Sequence, residues 1–162
     1  MKSILLLLTA FITLTACAQR KSPHDTVSNG KATVTYGRPY KKDRDIFGGL
    51  EQYGKVWRVG ADEATTITFN SDVKFGGKEV KAGTYTLFAI PNEKEWTLIL
   101  NGQGGQWGAY DYDKHKDKDV AKINVPVKKL DKAVEQLTIS FAADNTMNIA
   151  WDKTQVAVPL NF

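Results

Sequence analysis

From Lys31 onward the apolar residues of this chain recur at every second position, the period of a strand with one face buried and the other wet. Ala32, Val34 and Tyr36 alternate with polar neighbours, and Ile67 and Phe69 face one way from a stretch whose other face is Thr66, Thr68 and Asn70. Leu137, Ile139 and Phe141 alternate with Thr138 and Ser140, Met147, Ile149 and Trp151 repeat the arrangement, and Val156, Val158 and Leu160 follow. Two segments depart from this rule. Tyr85 to Ile90 and Trp96 to Leu100 are apolar on both faces, which predicts central strands covered from both sides or crossed by a loop. Turn residues punctuate the pattern: Gly76-Gly77 as a two-residue hairpin turn, Pro91-Asn92 between the two apolar strands, and Asp144-Asn145 before Thr146. Helical spacing hardly occurs; Leu130 to Gln136, with Asp131 as its cap, predicts one helical turn. Many short strands with short turns predict an all-β fold, a single antiparallel β-sandwich, jelly-roll-like, over residues 31–162. Two connections, Gly37 to Gly54 and Gly102 to Asp119, are far longer than a hairpin needs, and long loops on a rigid scaffold are where binding residues concentrate.

The first thirty residues follow another pattern. Met1-Lys2-Ser3 gives a short basic start, Ile4 to Leu14 is an almost unbroken apolar run, and Leu14-Thr15-Ala16-Cys17 ends it with small residues. The run is too short to remain as a membrane span. It resembles a bacterial lipoprotein signal peptide over residues 1–16, whose lipobox places the lipidation at Cys17 and makes that residue the first of the mature chain. Ala18, with no acidic neighbour, resembles outer-membrane sorting. The expected location is therefore the bacterial envelope, exported and lipid-anchored in the outer membrane facing the periplasm. Residues 17–30, polar and without periodicity, read as the lipidated cysteine and a flexible tether, with His24 simply solvated.

Composition narrows the chemistry. The 162 residues carry one Cys, which excludes an internal disulfide, zinc ribbons, CxxC redox pairs and iron–sulfur ligation. The formal charge of +4 falls to +3 once Lys2 is removed with residues 1–16. Acyl chains at ~0.8 kcal/mol per buried CH₂ hold a protein at a membrane without a basic patch, and an envelope location makes nucleic acid no expected partner. What remains suits one domain with a core of its own.

The motifs then fall in order: Tyr36-Gly37-Arg38-Pro39; Ile46-Phe47-Gly48-Gly49-Leu50; Tyr53 to Thr66, containing Trp57-Arg58-Val59-Gly60-Ala61-Asp62-Glu63-Ala64-Thr65; Ala82-Gly83-Thr84-Tyr85-Thr86-Leu87-Phe88; and Gln106-Trp107-Gly108-Ala109-Tyr110. Together they resemble domain-of-unknown-function family 2911 (DUF2911), a family of bacterial envelope proteins, with Val59 and Asp62 standing where relatives often carry Thr and Asn. The resemblance implies a secreted β-sandwich and supplies no activity.

On their own chemistry, Trp57, Arg58, Asp62 and Glu63 place an aromatic, a guanidinium and two carboxylates within seven positions just before a strand, with Arg38 positioned to approach them. In that candidate pocket Arg58 would clamp a carboxylate or sugar hydroxyl, Glu63 would serve as acceptor or general base, and Trp57 would supply an apolar wall. The competing structural reading pairs Arg58 or Arg38 with Glu63 to fix a loop. In Asn101 to Tyr112 the aromatics Trp107 and Tyr110 suit the C–H faces of sugars, with Asn101, Gln103 and Gln106 offering hydroxyl partners; alternatively Trp107 covers a sheet edge. The stretch lacks the Lys-Ser/Thr and helix of a phosphate loop. Asp111, Asp113, His115, Asp117 and Asp119 alternate with lysines that cancel their field, so no metal or cofactor is expected. With only His24 and His115, and no Gly-x-Ser-x-Gly elbow, covalent hydrolysis finds little support. The expected function is a noncatalytic, ligand-binding envelope lipoprotein taking a glycan or another envelope component. The alternatives are a carboxylate-dependent hydrolase of envelope glycans, using Glu63 with Asp62 or Glu51, and a protein-interaction module.

Overall fold

The computed structural model describes residues 22–162, so the expected signal peptide over residues 1–16 and the expected lipidation at Cys17 lie outside the described residues. The strands are β1 (His24–Ser28), β2 (Ala32–Gly37), β3 (Thr66–Phe69), β4 (Val73–Phe75), β5 (Lys78–Val80), β6 (Gly83–Ile90), β7 (Glu95–Asn101), β8 (Asp119–Pro126), β9 (Lys128–Phe141), β10 (Met147–Val158) and β11 (Leu160–Asn161). One short helix, α1 (Tyr112–His115), interrupts them, followed by a 3-10 turn at Lys116–Lys118. Six strands form one sheet in the order β1-β2-β3-β6-β7-β8, antiparallel throughout. Opposite it, β9 pairs with β10, and past Pro159 the chain continues as β11 beside β4 and β5. The all-β sandwich read from the two-residue period is the observed architecture.

One buried cluster fills the space between the layers. The inward residues of the six-stranded sheet, among them Val34, Tyr36, Ile67, Leu87, Trp96 and Leu98, meet Leu137, Ile139, Ile149, Trp151, Val158 and Phe75 from the other side. Each fully buried aliphatic or aromatic side chain contributes roughly 1.5–3 kcal/mol relative to exposure. The doubly apolar strands β6 and β7 are indeed covered twice: their other face, Phe88 and Ile99, packs with Ala64 and Tyr112 in a second cluster under the 102–118 connection. Gly76 and Gly77, at φ +53° and +91°, form the two-residue turn between β4 and β5.

Two expectations are corrected. Leu130–Gln136 is not a helical turn but the middle of β9, whose pairing with β10 shifts register between Ala150 and Asp152 and again between Asp152 and Thr154. While β10 advances from Asp152 to Thr154, its partner moves from Val134 to Lys129. Extra residues bulge out, and alternation is broken into a spacing that imitates a helix. The tether likewise ends sooner than expected: His24–Ser28 pairs with β2 from His24↔Gly37 to Ser28↔Thr33 as an edge strand.

The sandwich is tied at a corner by the chain beyond β2. Leu137 N–H donates to Pro39 O at 3.0 Å and Lys41 N–H to Glu135 O at 2.7 Å, so this segment runs beside β9 and delivers the 40–51 loop to one end of the molecule.

Candidate functional site

At that end lies a cleft of about 470 Å³ whose lining includes Tyr40, Lys42, Arg44, Leu50, Glu51, Arg58, Asp62 and Trp151, with Ser22 and Pro23 at its rim. Both walls belong to the one long connection between β2 and β3 and are held by core contacts. The first is anchored by Ile46, fully buried, and by Phe47, whose ring lies 4.7 Å from Trp96 and 5.7 Å from Trp57. The second, residues 58–62, is seated on the end of β2, where Gly37 leaves no room for a side chain: a Cβ there would stand 2.2 Å from Ala61 O.

This second wall has a costly backbone. Val59, β-branched and fully buried, sits at φ +54°, and Asp62 at φ +63°. Such conformations cost of order 1–3 kcal/mol and persist only where neighbours hold them. Here Thr65 does so, its hydroxyl donating to Val59 O at 2.8 Å and its N–H to Arg58 O at 3.1 Å.

The loop carrying Trp107 joins the same wall. Glu63 and Trp107 form an antiparallel bridge, Gly108 N–H donates to Asp62 O at 3.1 Å, and Ala64 N–H donates to Gln106 O at 3.0 Å. A Cβ on Gly108 would lie 2.9 Å from Arg58 Nη1 and 2.7 Å from the Tyr110 ring, so the guanidinium and the phenol are neighbours. Trp107 is 39% exposed and Tyr110 78%.

The expected site residues therefore divide. Arg58 and Asp62 line the cleft, and Trp107 and Tyr110 stand on the adjoining loop. Trp57 is not a cleft wall: at 3% exposure it belongs to the core, stacked on Trp151 at 6.1 Å, and Trp151 is the tryptophan that reaches the cleft. Arg38 is framework, donating to Leu137 O at 3.0 Å, Thr138 Oγ1 at 3.1 Å and Asp25 Oδ2 at 3.1 Å. Glu63 lines a smaller neighbouring depression with His24, whose Nε2 lies 3.0 Å from Glu63 Oε2. His24 is thus no solvated tether residue. Its Nδ1 stands 3.1 Å from Ser22 O, so both ring nitrogens face oxygen atoms.

Of the amides expected to meet sugar hydroxyls, Asn101 is spent internally. Asn101, fully buried, donates to His115 O at 2.7 Å and Asp119 Oδ1 at 2.8 Å, and accepts from Gln103 N–H at 2.9 Å and Gln106 Nε2 at 3.3 Å. In the acidic loop the lysines do meet the carboxylates, Lys114 with Asp111 at 2.6 Å, Lys116 with Asp113 at 3.9 Å and Lys122 with Asp119 at 3.7 Å.

Sequence reasoning missed Lys42 and Arg44 and named Glu51 only as a possible partner. The signal was the length of the 37–54 connection rather than any motif within it. Burial pushes the Glu51 carboxyl up to about 7, against the opposing pull of Arg58 and Arg44. The cleft thus holds three cations, a carboxyl poised near neutrality and the Asp62 carboxylate, which Ser22 N–H meets at 3.0 Å. That balance suits an anionic or hydroxyl-rich ligand, held by forked guanidinium hydrogen bonds.

No curated protein and no solved structure matches the chain. A family model described as "Protein of unknown function (DUF2911)" matches residues 18–160. The match runs through both walls of the cleft and both layers of the sandwich, and the chain belongs to the DUF2911 family.

Proposed function

We propose that this domain is a noncatalytic binding module of the bacterial envelope, anchored through lipid on Cys17 to the outer membrane and facing the periplasm, and that it takes an anionic or glycan component of the envelope in the Arg58 cleft. The observation that carries this reading is the convergence of three chain segments, the 40–51 loop, the 58–62 loop and the N-terminal edge at Ser22, on one cleft rich in guanidinium and ammonium groups. The strained Val59 and Asp62 support it, since unfavourable backbone is kept where a loop must be held in one shape. A thermal-shift screen of glycans, peptidoglycan fragments and small carboxylates tests it. A ligand at 100 times its Kd stabilises the fold by ~2.7 kcal/mol, and Arg58→Ala abolishes that shift while keeping its own melting transition. No shift with any of these classes overturns the reading.

One observation favours the hydrolase as a second reading. Glu51, with its raised pKa, and Asp62 line the same cleft, the acid-and-carboxylate pairing that glycoside hydrolysis requires. The pair is Glu51 with Asp62, since Glu63 lines the depression beside His24. Glycan turnover that disappears in Glu51→Gln while binding persists would replace the first reading by this one.

A further inference from the structure

Large apolar side chains are unevenly distributed over the surface. Of the six exposed ones among the described residues, Tyr40 and Leu50 line the cleft and Trp107 and Tyr110 stand on the loop bridged to it; only Val120 and Phe162 lie elsewhere. Lys42, Arg44 and Arg58 are set among them. Aromatic rings beside Lys and Arg form the composition of a surface at the boundary of a bilayer, where rings take the headgroup level and cations meet anionic lipid.

The chain path brings this end close to the anchor. Ser22 at the cleft rim follows Cys17 by five residues, and at ~3.3–3.6 Å per residue that span reaches no more than about 18 Å. A lipid on Cys17 therefore holds the cleft rim within about 18 Å of the lipid-bearing residue. β2 runs away from it, from Gly37 packed on Ala61 to Ala32 paired with Phe69, whose ring lies 6.4 Å from that of Phe162. The groove of about 670 Å³ beside Phe162 is thus at the far end, and there Lys81 is paired with Asp72 at 2.7 Å.

We propose that the Arg58 end of the sandwich is its membrane-facing surface, and that the cleft takes the phosphate headgroup of an anionic lipid in the bilayer from which the protein hangs. The inference rests on the cleft being the binding site and on Cys17 being the anchor, and it names the ligand class. Of the two carboxyls in the cleft, Asp62 is met by Ser22 N–H and Glu51 is half-buried; Arg44 is held by Lys41 O and Tyr40 O and Arg58 Nε by Gly60 O, which sets the two guanidinium groups at the cleft for the phosphate.

The test uses the unacylated chain from Ala18, which contains every described hydrogen bond and the whole core, with vesicles of phosphatidylcholine alone or mixed with phosphatidylglycerol. The expected result is sedimentation with the anionic vesicles only, weakening as salt is raised. Lys42→Gln with Arg44→Gln lowers the affinity by about fivefold per cation, whereas Lys74→Gln with Lys81→Gln, an equal change of charge at the far end, leaves it unchanged. Trp107 is the one tryptophan exposed, Trp57, Trp96 and Trp151 being buried, so bromine-labelled lipid quenches fluorescence that Trp107→Phe removes. Equal loss from both double variants, sedimentation indifferent to lipid charge, or no sedimentation overturns the proposal. A soluble ligand that shifts the melting transition without vesicle binding overturns it too, while sparing the binding reading. Loss of vesicle binding is independent of the anchor, which is tested by Cys17→Ser in the full chain.

Discussion

Glu51 is half-buried within the field of Arg58 and Arg44, and its protonation couples the cleft to pH. Its folded pKa of about 7 lies above the ordinary 4.5, so between those values the folded state holds a proton that the unfolded state has released. Stability from this group is then fully present below about pH 4.5, declines as pH rises and is lost once pH passes about 7. The difference corresponds to on the order of 3 kcal/mol. Glu51→Gln keeps the neutral shape and removes the titration, so the variant gains on the wild type progressively across this window; parallel melting curves from pH 4 to 8 would show that folding leaves the Glu51 pKa unshifted. Only part of this was legible in the residues themselves. That Arg58 and Asp62 face a cleft was legible because charges beside glycines in a loop have few apolar neighbours to hide among. Trp57 was misplaced because adjacent residues before a strand point to opposite sides, and Arg58 turned to the cleft sends Trp57 inward. Arg38 was misplaced for a different reason: its acceptors on β9 are a hundred residues away in sequence, and no local pattern announces them.

At the scale of elements, Arg38 is the bolt between the two layers. Its three hydrogen bonds reach β9 twice and β1 once, and the segment it begins carries the 40–51 wall. Arg38→Met keeps the aliphatic stem and removes the donors, leaving Leu137 O without that partner. The expected cost is about 2–3 kcal/mol in denaturant melts, with faster amide exchange at the Pro39–Lys41 junction before the rest of the sheet. Global unfolding with no local phase would show the corner to be part of one cooperative unit. The strands that alternate strictly, β2, β3 and the Phe141 half of β9, were legible because burial on one face imposes the period of two. The Lys128–Val134 half of β9 was not, since its bulges disrupt that period, and β1 was not, since an edge strand with mostly part-exposed residues carries little hydrophobic signal.

For the whole molecule, alternation specified two layers and double-sided apolarity specified which strands lie in the middle, while the way the layers join was hidden in pairings between distant segments. The proposed attachment to the envelope is likewise a matter for the entire chain. Cys17→Ser is expected to move the protein from the membrane fraction to the soluble fraction when membranes are washed in high salt, with partial retention at low salt through the basic end. An unchanged membrane fraction at high salt would remove the lipid from the account. The buried Asn101 has one more consequence. By fastening the 102–119 connection to His115, Asp119, Gln103 and Gln106, it orders the segment carrying Trp107 during folding rather than at encounter. A ligand meeting this surface then forfeits little loop entropy, and association proceeds as docking onto a preset shape, at ~10⁵–10⁷ M⁻¹s⁻¹ or faster with charge attraction, in a single kinetic phase.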